Sequence, residues 1–301
     1  MKTILTSILV GSLLTTVALA QEPSRGFGRR GFVHNGEPQT AQTAPPAIPL
    51  IAYAINIAFE FGVLDLSSGA FLPIGPSLPQ DVGDGLVQGP GTSFLSLGFD
   101  GKLIAIDRFT GRTSVVGATG LGDCSTPTSP CGPNSANWIG LVNGNYYVTD
   151  FANNLYSLNP KTAATKLIGT TGIPPLTFVP FSQNPDGSNN VFAEGLFGVS
   201  DKFYAYFSTQ AVNFTTGAVR NLIPGELYEV DPETARARPV APANSNFSTI
   251  FSMLDTIYAF DGITGQVDIV DPRTGNSTPV STLSSSAGVI AGAAPALPAI
   301  F

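Results

Sequence analysis

Two carboxylates, Glu194 and Asp84, are the residues whose type and position could support catalysis. General acid–base cleavage of a glycosidic bond needs two carboxyl groups that face one another, in surroundings that separate their pKa values. Glu194 lies in the apolar segment AEGLFGVSD, which predicts an interior strand, whereas the segment around Asp84 has little apolar pattern. Both are therefore weak catalytic candidates, and the pattern favours a hydrogen-bonded structural role for Glu194 over a catalytic pair.

Other catalytic arrangements lack their components in this sequence. The single histidine, His34, lies in a polar N-terminal stretch, so the folded part cannot form a Ser-His-Asp or Cys-His set. Asp65, Asp107, Asp231 and Asp271 recur in similar short segments, which could indicate calcium sites. An Asp in a tight turn accepts a hydrogen bond from the backbone two residues on and needs no ion, so we interpret them as turn residues. We expect no cofactor and no metal.

The two cysteines of the chain, Cys124 and Cys131, lie in the segment GDCSTPTSPCGPN. In an exported chain this spacing predicts a disulfide that closes a short, Pro-rich surface loop. A metal site would need further thiolate or histidine ligands close by.

Three Asn-x-Ser/Thr sequons begin at Asn213, Asn246 and Asn276, and they predict N-glycosylation in a eukaryotic host. Chance occurrence is the alternative in a chain rich in Ser and Thr. Asn213, within VNFTTGAVRNLIPG, is expected to be the most exposed.

A short motif that occurs five times predicts the strands that carry these residues. Each copy has an apolar pair, Asp or Asn, two variable residues, Thr or Ser, and then Gly or Ala, followed by a second apolar stretch. The copies span 63–75, 105–117, 157–169, 229–241 and 269–281. The motif predicts strand, tight turn and strand, and five copies of a marginal hairpin predict stacked β units that share a core.

Extending each copy backward gives units of four antiparallel strands, the composition of a β-propeller blade. The first unit supplies only three strands, and 286–296 resembles a lone innermost strand. We therefore predict an all-β fold: one propeller of five four-stranded blades, closed by pairing of the C-terminal strand with the N-terminal blade. A sixth blade within 173–191 is the alternative.

Function in a propeller normally resides at one mouth of the central channel, which inner strands and their loops line. The inner strands place Asn137, Trp138, Glu194 and Ser248 in this region. We predict these four as binding residues.

The N-terminal residues predict export of the chain, and the net charge limits its partners. Residues 1–20 have the positive start, apolar core and Ala-x-Ala end of a signal peptide, 21–46 predict a disordered tail, and 47–301 predict the propeller domain. The net charge of −7 argues against nucleic acid and anionic lipid as partners. We expect a secreted extracellular monomer without a membrane span, with association with the cell wall as the alternative.

The hairpin motif resembles the "LYxIDPxTGxxxxIG" blades of secreted β-propellers of the quinoprotein-like and YVTN-like families, from Ile48 to the C-terminus. The resemblance implies the fold and specifies no activity. The fourth unit, AEGLFGVSDKFYAYF followed by GELYEVDPETA, looks like the opening blade of gluconolactonase and strictosidine-synthase-like propellers. In their metal-dependent members the Glu at the Glu194 position is a metal ligand, but the further Asn and Asp ligands of that pattern have no counterparts that can be placed here.

Three functions are compatible with these observations. The interpretation we adopt is a secreted, non-catalytic propeller that binds an extracellular protein or glycan at one face of the ring, because the scaffold is complete and a catalytic set is missing. The alternatives are a lyase, isomerase or hydrolase that uses Glu194 at the channel mouth, and a structural protein of the cell wall or matrix.

Overall fold

A computed structural model describes residues 50–79, 82–83, 85–123, 132–175, 184–213, 215–216 and 218–296. Within these ranges every regular element is a β-strand. The same ranges contain no helix with the length and apolar character needed to cross a bilayer. The predicted signal peptide, the predicted tail, Asp84 and both cysteines lie outside the described residues, so the expectations about them stay predictions.

The described strands form three four-stranded sheets and one eight-stranded sheet. We divide the eight-stranded sheet at its single parallel pairing and describe five units of four strands. Unit 1 contains β1 (Ile51–Asn56), β2 (Phe61–Asp65), β3 (Ala70–Pro73) and β20 (Ile290–Pro295). Unit 2 contains β4 (Val87–Gln88), β5 (Ser93–Leu97), β6 (Lys102–Asp107) and β7 (Thr113–Ala118). Unit 3 contains β8 (Ala136–Val142), β9 (Asn145–Asp150), β10 (Asn154–Leu158) and β11 (Thr165–Thr170). Unit 4 contains β12 (Asn189–Val199), β13 (Lys202–Val212), β14 (Val219–Val230) and β15 (Ala237–Pro242). Unit 5 contains β16 (Phe247–Met253), β17 (Thr256–Asp261), β18 (Gln266–Val270) and β19 (Ser277–Thr282).

Neighbouring strands within each unit pair antiparallel, in the order of a propeller blade. Unit 1 includes the two ends of the described domain, since β20 pairs antiparallel with β1 and places Ala293 opposite Ala54. Units 3 and 4 also touch through a short parallel pairing of β8 with β12, in which Leu196 lies opposite Gly140. The arrangement is therefore all-β and propeller-like.

The recurrent hairpin turn is present in all five copies. Asp65 accepts a hydrogen bond from Ser67 N at 2.9 Å, and the Asp or Asn of each other copy accepts the equivalent bond. The pKa of each of the four Asp carboxyls is lowered, mainly by a bond from the hydroxyl of Ser67, Thr110 or Thr234 in the first, second and fourth copies and mainly by the bond from Arg273 N at Asp271. The small residue that follows has a left-handed backbone in every copy, with φ between 64° and 70°. The turn thus uses the Asp side chains for its own backbone, as the sequence predicts.

The innermost strands of the five units follow one another in a circle of contacts. β8 contacts β12, β12 contacts β16, β16 contacts β20, β20 contacts β4, and β4 contacts β8. Five clusters of buried apolar side chains lie between the units, one for each neighbouring pair. Each unit therefore buries both faces against its neighbours, which is how a sheet without helices completes its core.

One cation also ties unit 1 to unit 2. The Arg108 guanidinium lies 5.7 Å from the centre of the Tyr53 ring and 5.4 Å from that of Phe94, and these two rings contact each other at 4.7 Å. Attraction between the guanidinium and the ring faces stabilises this arrangement.

Unit 4 departs from the others in length. Its strands β12, β13 and β14 run for 11, 11 and 12 residues. The segment Val219–Ile223, expected to lie in an insertion, pairs with β13 as a continuation of the hairpin, with Asn221 opposite Gln210. This extension projects the hairpin beyond the ends of the other inner strands.

Candidate functional site

Two cavities lie at opposite ends of the inner strands. The first has a volume of about 470 Å³ and lies where β12, β16 and β20 begin. Its walls include Phe59, Phe99, Phe192, Val212, Ile263 and Val289, and we call it the Phe59 cavity. The second has a volume of about 720 Å³, lies where the same strands end, and includes Leu141, Phe197, Met253, Leu254 and Asp255; we call it the Leu254 cavity.

The loop that carries Phe59 is wound around Asn56. Asn56 Oδ1 accepts hydrogen bonds from Ala58 N at 3.0 Å and Glu60 N at 2.9 Å, and its Nδ2 donates to Glu60 Oε2 at 2.8 Å. The Phe59 carbonyl accepts a bond from Leu78 N at 2.6 Å, which anchors the loop to the chain that follows β3. Phe59 itself has φ 60°, a left-handed backbone that costs an aromatic residue about 1–3 kcal/mol. The loop thus holds its aromatic ring at the cavity in a strained backbone conformation.

Six polar side chains are present in the lining of the Phe59 cavity, and two of them, the amides of Gln210 and Asn246, are bonded to each other. Gln210 Nε2 donates to Asn221 Oδ1 at 3.0 Å and to Asn246 Oδ1 at 2.9 Å, so both of its hydrogens are used. This pattern orients Asn246 so that its Nδ2 has no partner among the described residues, and Gln210 Oε1 likewise has none there. The cavity therefore presents one free donor group beside one free acceptor.

Glu194 lies between units 3 and 4 and lines neither cavity. Its side chain is 4% exposed, and Oε1 has no hydrogen-bond partner among the described residues. Burial raises the pKa of this carboxyl to about 8, and the negative charge of Asp150 adds to the rise. The nearby Asn137 amide opposes the rise in pKa, although it does not have the geometry of a full hydrogen bond. At neutral pH Glu194 is therefore predominantly the uncharged acid.

Further polar side chains of units 3 and 4 are buried without a hydrogen-bond partner. Both side-chain polar atoms of Asn137 and the hydroxyls of Thr149 and Thr209 are buried without a partner among the described residues. Asp150, in contrast, accepts bonds from the backbone and from the Asn154 and Tyr156 side chains. Units 3 and 4 thus bury some polar side chains with hydrogen-bond partners and others without.

The four predicted binding residues do not form one site. Asn137 and Glu194 lie together at the interface of units 3 and 4, and Trp138 is 4% exposed within the apolar cluster of the same interface. Ser248 lines the Phe59 cavity, where its hydroxyl donates to the Ile290 carbonyl at 2.8 Å and joins β16 to β20. Phe59 and Gln210 were missed because no recurrent motif covers them; the one signal for Gln210 was the insertion in the fourth unit.

The three sequons have different surroundings. Asn213 Oδ1 accepts bonds from Thr215 N and Thr216 N, and its Nδ2 donates to the Asp186 carbonyl, so this side chain is engaged in a turn. Asn246 is half-buried in the Phe59 cavity. Asn276 is exposed.

Comparisons with known proteins give no family. The chain matches no family model and no curated protein. Among solved structures, it is similar to a chain of a nidogen/laminin complex, with 12% identity, 82% of this chain and 98% of that chain covered, and a TM-score of 0.46. It is also similar to the PQQ-bound aldose sugar dehydrogenase of Streptomyces coelicolor, with 15% identity, 74% and 87% covered, and a TM-score of 0.42. A third likeness is to YCF48 bound to D1 peptide, with 11% identity, 77% and 64% covered, and a TM-score of 0.34. At these TM-scores the likenesses say nothing of this chain's activity or partners.

Proposed function

We propose that the five units form a closed, five-bladed β-propeller. The circle of contacts among the inner strands and the five clusters between units support this proposal, as does the pairing of β20 with β1. In a closed ring, the first and last blades contact each other, so neither end of the ring is left uncovered. Deletion of residues 290–301 tests closure. If the ring is closed, the five blades of the truncated protein should no longer unfold in one cooperative transition. If the units form an open stack, only the structure next to unit 1 should be lost.

We propose further that this propeller is a secreted binding protein and that its ligand enters at the Phe59 cavity. The observation that carries the proposal is the lining of this cavity, which is open to solvent, predominantly apolar and free of charge among the described residues. Such a lining suits an apolar group better than a glycan, whose hydroxyls would need many polar partners.

The raised pKa of Glu194 favours an enzyme as the second candidate, since perturbed carboxyls cluster at catalytic sites. Two observations weigh against it: Glu194 lines neither cavity, and its carboxyl is buried between two units. A general acid must come within hydrogen-bond reach of its substrate. If the purified protein turns over a substrate, the turnover of E194Q tests the role of Glu194. Unchanged turnover in E194Q would show that Glu194 does not take part in the reaction.

Site-specific photocrosslinking tests which mouth binds. A benzophenone amino acid replaces Ile263, which is 50% exposed at the rim of the Phe59 cavity, and the matched control carries it at Leu254, which is 66% exposed at the opposite mouth. Both variants are irradiated in the extracellular medium of the source cells. We expect a discrete adduct from position 263 alone. Equal adducts from both positions, or none from either, would contradict the proposal.

A further inference from the structure

The Phe59 cavity combines an apolar wall with a small polar anchor. Aromatic and aliphatic side chains dominate the lining, and no charged residue is present among the described lining residues. A volume of about 470 Å³ lies within the range of sites that enclose small molecules. A charged ligand would lose its hydration here without gaining a counter-ion.

The polar anchor has a defined donor and acceptor. Gln210 Nε2 donates both of its hydrogens, one to Asn221 and one to Asn246. The Gln210 carbonyl oxygen and the Asn246 amide nitrogen therefore remain available to a ligand. Three amides that constrain one another keep this pair in place before any ligand arrives. Preorganisation of this kind lowers the cost of binding.

Phe59 supplies part of the apolar wall. Its left-handed φ of 60° is fixed by its surroundings and is shared by Leu254 at the opposite cavity, whose φ is 51°, so the position of Phe59 in the lining and not its backbone strain supports the site. The Asn56 side chain and the bond from Leu78 N fix the φ of Phe59. Phe59 thus lines the cavity and also packs against the apolar cluster between units 1 and 2.

The size of the exposed apolar area distinguishes a small molecule from a protein surface. Of the large apolar side chains that are strongly exposed among the described residues, only Ile57 and Ile263 lie at this rim. Two side chains fall far short of the roughly 800 Å² that each partner buries in a stable protein interface. The enclosed part of the cavity, and not its rim, therefore provides the binding area.

We propose that the Phe59 cavity binds a small, uncharged, largely apolar molecule, whose hydrogen-bonding group contacts the Gln210 carbonyl and the Asn246 amide and whose apolar body packs on Phe59. The inference rests on the proposed function, in that it uses the same mouth, and it names the class of ligand.

Two related dyes test the class of ligand. 1-N-phenylnaphthylamine is neutral and carries one N–H donor, and 1-anilinonaphthalene-8-sulfonate has the same ring skeleton with an anionic sulfonate. We expect the neutral dye to bind one-to-one with a blue-shifted rise in fluorescence, and the anionic dye to bind at least tenfold more weakly. Equal affinity for the two dyes would overturn the assignment of an uncharged ligand.

Two substitutions locate the dye. Val289→Trp fills the cavity, and we expect it to weaken binding of the neutral dye at least tenfold, while the matched Leu254→Trp at the opposite mouth leaves binding unchanged. Phe59→Gly relieves the left-handed backbone strain but removes the ring, so we expect binding at least fivefold weaker with folding retained, even if the Trp variant fails to fold.

Three outcomes would refute the site: undiminished binding in F59G, undiminished binding in folded V289W, or equal loss in L254W. If the protein binds neither dye but still forms the crosslinked adduct through position 263, the small-molecule assignment is wrong and the proposed function is still supported. An adduct that is a protein, which the neutral dye does not displace, would identify a protein partner instead.

Discussion

Replacing Glu194 by Gln should change how the stability of the protein depends on pH. The folded chain holds the Glu194 proton with a pKa of about 8, against an ordinary value of 4.5. Between these values the folded state binds more protons than the unfolded state, so the free energy of unfolding must fall as pH rises. At about 1.4 kcal/mol for each pKa unit, the contribution of Glu194 falls by about 4 kcal/mol between pH 5 and pH 8.

Glutamine has nearly the same shape and does not titrate, so E194Q should lose this dependence. At pH 5, where Glu194 is protonated in the folded chain, we expect the two proteins to differ by about 1 kcal/mol or less. At pH 8 we expect E194Q to be the more stable by several kcal/mol. Urea denaturation at pH 5, 6, 7 and 8 measures the difference, which isolates Glu194 from the other titrating groups.

Glu233→Gln is the matched control, because it removes one carboxyl from an exposed hairpin turn. Its pH profile should run parallel to that of the wild type. If the E194Q profile is also parallel to the wild type, then Glu194 is not held as a buried neutral acid, and the reasoning about its surroundings is wrong.

Three further predictions concern the scaffold and its surface. Arg108→Met should lower the free energy of unfolding by about 1–2 kcal/mol in urea titrations, since it removes the guanidinium from two ring faces. Gly275→Ala should cost about 2 kcal/mol more than Gly91→Ala in the same assay, because both glycines are left-handed but only at Gly275 would the new Cβ collide with the Pro242 carbonyl. Expressed in a eukaryotic secretory host, the chain should carry glycan at the exposed Asn276 and not in the Phe59 cavity, and glycopeptide mass spectrometry measures the occupancy.

The hairpin pattern predicted the strands of the fold well because its information is local. An Asp that accepts bonds from its own turn, followed by a small residue at positive φ, specifies the hairpin within a few residues. The apolar residues then distinguish the buried inner strands from the outermost strands, which are largely exposed. The weak pattern before Gly89 matched a genuine feature, since β4 has only two residues.

The surroundings of the candidate residues could not be predicted in the same way. The strand pattern placed Glu194 in an inner strand, but whether that strand opens its side chain to a channel or to a neighbouring sheet depends on contacts with unit 3. The left-handed backbone of Phe59 likewise depends on bonds from Asn56 and Leu78, which no local propensity encodes. Aromatic residues rarely adopt such a φ, so a prediction from sequence assigns it an ordinary conformation.

The repeats and the departures from them have separate roles. What the five units share is the turn, the four strands and the apolar faces, and these account for the scaffold. The Phe59 cavity is built where the units differ: the loop of unit 1 supplies Phe59, and the lengthened hairpin of unit 4 supplies Gln210 and Asn221. A substitution in the shared motif should therefore act mainly on stability. A substitution in the unit 1 loop or in the lengthened unit 4 hairpin should act mainly on binding, because loops and insertions on a rigid scaffold can change without disturbing its core.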